Sequence, residues 1–200
     1  MAKIKLTKNE QKKQKDSLKM FQRYLPTLML KKQQLQAEIR TVEIRVAELQ
    51  KVKEQTEESF KKWIAIFGEE GVFTSDIVRI TKMIAGEGNI AGVAIPVFEG
   101  AEFDTAQYDL VEKPLWLDMA VDNMKKALLL DLQMQCLEEQ QRRLRKELQT
   151  TSQRVNLFEK IKIPEAKANI KKIGVYLGDQ QTAAVVRGKI SKRGMERAHQ

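Results

Sequence analysis

Few residues in this 200-residue chain could do chemistry, and they are scattered. It has one cysteine, Cys136, and one histidine, His199, next to the last residue. A single thiol forms no internal disulfide, and a lone histidine supplies neither the ligand set of a zinc site nor the base of a nucleophilic triad. Gly86-Glu87-Gly88 has the spacing of a phosphate cradle, but no helix-opening Lys-Ser or Lys-Thr follows it, and turn glycines are the simpler reading. Nine acids fall between residues 68 and 115 (Glu69, Glu70, Asp76, Glu87, Glu99, Glu102, Asp104, Asp109 and Glu112), without a nucleophile or histidine to work with. They read as a solvated or partner-facing surface. These residues imply no cofactor, metal or catalytic role, and Cys136, flanked by apolar positions, reads as a buried inert thiol.

The elements that would position these residues are helices. Aromatic residues make up 6% of the chain and charged residues 32%, a composition of elongated helical proteins more than of a compact core. From Leu18 onward apolar positions recur in alternating steps of three and four: Leu18, Phe21, Leu25, Leu28, Lys32, Leu35, Ile39, Val42, Val46, Leu49, Lys53, Thr56, Phe60, Trp63 and Phe67. This is a coiled-coil seam, and a helix from about residue 10 to 67 would span roughly 85 Å. Pro26 interrupts its hydrogen bonding once. A second seam uses Trp116, Ala120, Asn123, Ala127, Leu130, Met134, Leu137, Gln141, Leu144, Leu148, Thr151, Val155, Phe158 and Lys162. After Pro164 it resumes at Ala166, Ile170, Ile173 and Leu177 with its phase shifted, as a kink or stutter requires. Trp63 and Trp116 border the middle segment and are expected to pack together.

Helical periodicity disappears in residues 68–115, which hold six of the ten glycines. The β-branched runs 77–84 and 90–97 predict a hairpin that turns through Ala85-Gly86-Glu87-Gly88-Asn89, with Pro96 confined to a strand edge or end. Three segments follow: an N-terminal coiled-coil helix (1–67), an insert with a β-hairpin (68–115), and a C-terminal coiled-coil helix with a kink near Pro164 and a basic tail (116–200). The fold class is mainly α, a long antiparallel two-helix coiled coil with the insert at one end.

The net charge of +9 is unevenly placed. Residues 1–20 carry +5, residues 183–200 carry +4, and residues 68–115 carry −6. Folded back as a hairpin, such a chain has one basic and one acidic tip, suited to field-guided docking at both. There is no apolar run of about 18 residues for a membrane span and no signal-peptide core, so a cytoplasmic chain is expected.

Several short blocks resemble a known family. Leu6-Thr7-Lys8 leads into a lysine-rich helix, and Leu28-Met29-Leu30-Lys31-Lys32-Gln33-Gln34-Leu35 is similar to a Leu-Leu-Lys-x-Lys-Arg-x-x-Leu stretch, with Gln33 in place of the arginine. Asn89 to Val97 is similar to the family's insert. Arg154-Val155-Asn156-Leu157-Phe158-Glu159 with Ile163-Pro164 matches its C-terminal signature. Together they resemble the D subunit of the rotary V-type ATPases, here of the bacterial kind, over nearly the whole chain. That resemblance implies a noncatalytic central-stalk rotor, present in one copy and peripheral to the membrane within the V1 sector, that transmits torque for ATP-coupled proton or sodium transport. It implies that both termini enter the pore of the hexamer of A and B subunits, that the F subunit binds the lower shaft, and that the d or C socket subunit receives the insert end. Lys3, Lys5, Lys8, Lys12, Lys13, Arg187, Lys189, Lys192 and Arg193 then face the catalytic collar, and Ile80, Val93, Ile95, Glu99 and Glu102 belong to the foot. The rivals are a coiled-coil export chaperone or scaffold, against which the insert and the Arg154 block weigh, and a basic coiled-coil nucleic-acid binder, against which the confinement of positive charge to the tails weighs.

Overall fold

The computed structural model describes residues 4–61, 77–106 and 116–198. The elements are helix α1 (Lys8–Lys61), strands β1 (Val78–Ile90) and β2 (Val93–Thr105), helix α2 (Trp116–Asn156), a π-helical turn (Leu157–Lys162) and helix α3 (Ile163–Ala198). The protein is mainly helical, with two long helical segments packed together and an antiparallel hairpin between them in the chain. The expected boundaries near 67/68 and 115/116, and Trp63 with them, fall at or beyond the edges of the described residues. Contacts divide the chain into two compact units, one of residues 33–149 and one of residues 1–32 with 150–200.

In the unit of residues 33–149, the seam read from the sequence forms the core. Leu35, Ile39 and Val42 of α1 meet Leu137 and Leu144 of α2, with Val46, Leu49 and Leu148 beside them. The two helices run antiparallel, because Glu43 bonds Arg145 at 2.8 Å while Lys53 bonds Asp131 at 2.8 Å. Leu35 and Leu144 are completely buried.

The hairpin lies along α2. At its base Ile77 and Val78 pack on Leu117 and Val121, flanked by Phe103, Trp116, Met124 and Leu128. At its other end Ile90, Ala91, Val93 and Ile95 join the Leu35–Leu144 cluster. The lengths agree, since the 27 helical steps from Leu117 to Leu144 rise about 40 Å and a strand of 13 residues reaches roughly 43 Å. Trp116 therefore packs on the hairpin base.

The hairpin is longer than its β-branched runs predict, and it turns elsewhere. Ala85 to Asn89 lie within β1, paired with Phe98 to Ala94, and the reversal falls at Ala91-Gly92. Both have positive φ, 52° and 78°, as a two-residue type I′ turn demands, and the side-chain oxygen of Asn89 accepts a bond from the Gly92 N–H at 3.0 Å. Gly88 serves packing across the strands. A Cβ there would come within 2.8 Å of Val97 Cγ2, whereas one at Gly86 would meet only the movable end of the exposed Glu99 side chain. Pro96 faces a strand edge, as expected. Its partner Glu87 lies an odd number of residues from the Ile90–Val93 pair that closes the turn, a non-hydrogen-bonded site that calls for no N–H.

In the other unit α1 starts from a Thr-x-x-Glu cap, with Thr7 Oγ1 accepting the Glu10 N–H at 3.3 Å. Pro26 lies inside α1, which remains one helix, and Thr27 Oγ1 donates to the Tyr24 carbonyl at 2.8 Å beside it. Phe21 stacks on Phe158 with centroids 5.1 Å apart, and Gln11 lies beside Gly174. Leu18, between those two points, is thus level with the stretch around Lys162 to Ala166. The phase shift at Pro164 takes the form of the π-helical turn just before it.

Candidate interaction surfaces

The collar residues expected from the sequence fall in one compact unit. Lys5, Lys8, Lys12 and Lys13 are exposed at the start of α1, and Lys3 lies outside the described residues. Lys5 and Lys13 border a cleft of about 530 Å³ floored by Phe21 and Ala166 and shared with Lys162 and Glu165. Arg187, Lys189, Lys192 and Arg193 are exposed on α3. With Gln11 beside Gly174, Arg187 lies roughly 20 Å farther along the helix than that contact.

From Gly178 to Met195 every residue of α3 is exposed. The helix nevertheless carries large apolar side chains there, with Val185 at 59% and Ile190 at 65% exposure, joined by Val186 and Met195. Cations and exposed aliphatic groups thus lie on the same helical turns. The sequence shows the charges but not this exposure, since apolar residues in a helix normally mean a buried face.

The foot residues do not form one surface. Ile80 is 40% exposed, and Glu99 and Glu102 are exposed, but Ile95 is only 4% exposed and Val93 packs beside it against the α1/α2 core. Ile95 therefore holds the hairpin to the helices and presents almost nothing to a partner. The sequence pattern hides this because it puts the turn on the wrong side of Ile90, which leaves Ile95 in a free strand.

A latch that the sequence does not reveal fastens β2 to α2. The Pro96 carbonyl accepts from Gln140 Nε2 at 2.6 Å and from Cys136 Sγ at 3.4 Å, and the Ala94 carbonyl accepts from Arg143 Nη1 at 3.2 Å. These carbonyls face the outer edge of β2, so one side of a two-stranded sheet is satisfied by a helix. Burial raises the Cys136 thiol pKa, consistent with an inert thiol. The signal that could have exposed the latch is the four-residue spacing of Leu132, Cys136 and Gln140, a second stripe that falls between the seam positions.

Glu139 steadies this latch. Its carboxylate is held down to about 2 by the Arg142 guanidinium, which donates at 2.5 and 2.7 Å, and by Arg143 at 2.7 Å, so Arg143 spans Glu139 and the β2 edge. The folded value lies below the ordinary 4.5, so the contribution is present above that pH and is lost as pH falls through about 2. Because the group is exposed, the effect is small and salt-sensitive. Glu139→Gln is expected to flatten the acid limb of stability between those two values, measured as urea midpoint against pH at low salt. An unchanged acid limb would contradict this role. Lys53 is raised from its usual value by its bond to Asp131, a partly exposed pair that agrees with the antiparallel pairing of α1 and α2.

Among the described residues no helix is long and apolar enough to cross a membrane. A cleft of about 520 Å³ lies between α1, β2 and α2, with Cys136 and Gln140 on its floor committed to Pro96. The arrangement is that of a mainly helical protein in which a two-stranded antiparallel hairpin is fastened to long packed helices.

Comparison with known proteins gives that class a family. The model of the ATP synthase D subunit matches residues 10–193. The chain is 51% identical over 199 residues to the V-type ATP synthase D subunit of Borreliella burgdorferi, covering 98% of this chain and 96% of that one. It is 33% identical over 200 residues to the protein of the same name from Chlamydia muridarum, covering 96% of each, and 34% identical over 197 residues to that of Chlamydia pneumoniae, covering 96% and 93%. The chain belongs to the family of ATP synthase D subunits.

Proposed function

We propose that this chain is the central-stalk rotor of a V-type ATPase or ATP synthase, a noncatalytic shaft that carries torque between the hexamer of A and B subunits and the membrane rotor ring. The observation that carries this reading is the exposed end of α3. A helix without a packing partner is only marginally stable in water, and this one bears Val185, Val186, Ile190 and Met195 with Arg187, Lys189, Lys192 and Arg193. Such a helix suits a site enclosed by other subunits. Lys3, Lys5, Lys8, Lys12 and Lys13 add positive charge from the other chain terminus, toward the same catalytic collar.

In this reading the foot is narrower than the sequence alone indicates. Ile80, Glu99 and Glu102 remain available to the d or C socket subunit, while Ile95 and Val93 hold the hairpin in place. The F subunit takes the shaft between foot and collar. The seam supplies stiffness, surface charge supplies orientation, and nucleotide binds on other subunits. The complex sits on the cytoplasmic face of the membrane, and this chain touches it only through partners.

Affinity recovery of the tagged chain from native membranes tests the assignment. The expected result is co-recovery of the large A and B subunits together with the F subunit. Recovery of export components, or of nucleic acid, without those subunits would overturn it.

A further inference from the structure

We propose that the π-helical turn Leu157–Lys162 is a soft joint in the C-terminal helical segment, created by a one-residue slip in its apolar seam. Upstream of the turn Thr151 and Val155 are buried, and Phe158 reaches Phe21. A regular heptad counted from Thr151 continues through positions 158, 165 and 172. The residues actually buried downstream are Ala166 and Ile173, each one position late. An unbroken α-helix would therefore turn Glu165 and Lys172 into the seam and rotate Ala166 and Ile173 out of it. Burying those two charged side chains is far costlier than distorting one turn.

A π-turn, with its bonds running from residue i to i+5, takes up one extra residue without breaking the helix. The Ile163 N–H bonds the Phe158 carbonyl, the spacing of such a turn. The next residue is Pro164, which has no N–H, so a rung of the ladder is missing at the place where the spacing changes.

Three features make this the segment that opens first within the packed part of the helix, before the exposed end that begins at Gly178. Its hydrogen bonds are those of a wide, less favourable turn, none of its six residues is fully buried, and a proline follows it. Leu157 and Ile161 point outward, at 40% and 54% exposure. The joint is a property of the chain alone, so its test does not depend on the rotor assignment. In a rotor it is the place where the shaft yields to twist.

Hydrogen exchange on the full chain, read by mass spectrometry, provides the test. Amides of residues 157–163 are expected to exchange at least about tenfold faster than those of residues 145–153. Deleting Lys160, which is exposed, removes the extra residue and returns Ala166 and Ile173 to the regular seam. That variant is expected to keep its helix content and to exchange at the slower flanking rate, although Pro164 is still present. Deleting Glu159 instead is expected to do the same, and Pro164→Ala to leave the segment fast. Wild-type exchange no faster than the flanks would overturn the joint, as would loss of helix in both deletion variants, or helix retained without slowing. Slowing by Pro164→Ala alone would overturn the seam slip as its cause.

Discussion

Ile95→Ala is expected to destabilise the unit of residues 33–149 by about 2–5 kcal/mol, and Ile80→Ala by no more than about 0.5 kcal/mol. The two isoleucines lie on the same hairpin and have the same side chain, so their environments alone decide the difference. Ile95 is 4% exposed and packs among Leu35, Ile39, Val42, Leu137 and Leu144, where truncation leaves a cavity that surrounding helices cannot close. Ile80 is 40% exposed and loses little to water when shortened. Urea denaturation followed by circular dichroism, together with exchange protection of the hairpin amides, measures both variants. A larger loss for Ile80→Ala than for Ile95→Ala would mean that the hairpin is docked on its other face.

Removing residues 183–200 is expected to have the largest effect on coupling and almost none on folding. No residue from Gly178 to Met195 is buried, so the truncated chain keeps its seam and its melting transition. It does lose +4 of charge along with Val185, Val186, Ile190 and Met195. If the proposed rotor role holds, the truncated chain in a reconstituted ATPase is expected to assemble with the F subunit and to permit ATP hydrolysis while ion transport falls several-fold, because in that reading a shorter helix has less surface inside the collar. Paired assays of hydrolysis and transport decide this. Equal loss of both activities with the complex still assembled would leave the tail a general scaffolding role.

Much of the helical architecture is legible because coiled-coil burial repeats in sequence. Leu35, Ile39, Val42, Leu137, Leu144 and Val155 are seam positions and are buried. The phase shift at Pro164 is visible too, although periodicity does not say that a π-turn absorbs it. The hairpin turn is misplaced for a chemical reason, since glycine serves both reversals and close strand packing, and Gly88 does the second. Ala91 hides the true turn, because a residue with a Cβ seldom takes positive φ. The hairpin's docking is hidden because α2 carries two stripes. Leu117, Val121, Cys136 and Gln140 face the hairpin while Leu137 and Leu144 face α1, and overlapping stripes blur into one broad apolar face. The expected collar and foot residues come from charge and resemblance, and packing bears on Ile95 and Val93, which it sets against the helices.

Rotation is what defines a central stalk, and single-molecule observation of the assembled complex tests it most directly. Immobilise the complex of A, B and F subunits with this chain, without the socket subunit and membrane ring, through its B subunits, attach a bead to a cysteine introduced at exposed Glu102, and add ATP. The bead is expected to turn in one direction and to stop when ATP is exhausted. A bead that stays fixed while the same molecules hydrolyse ATP would contradict the rotor assignment and place this chain in the stationary part of the machine.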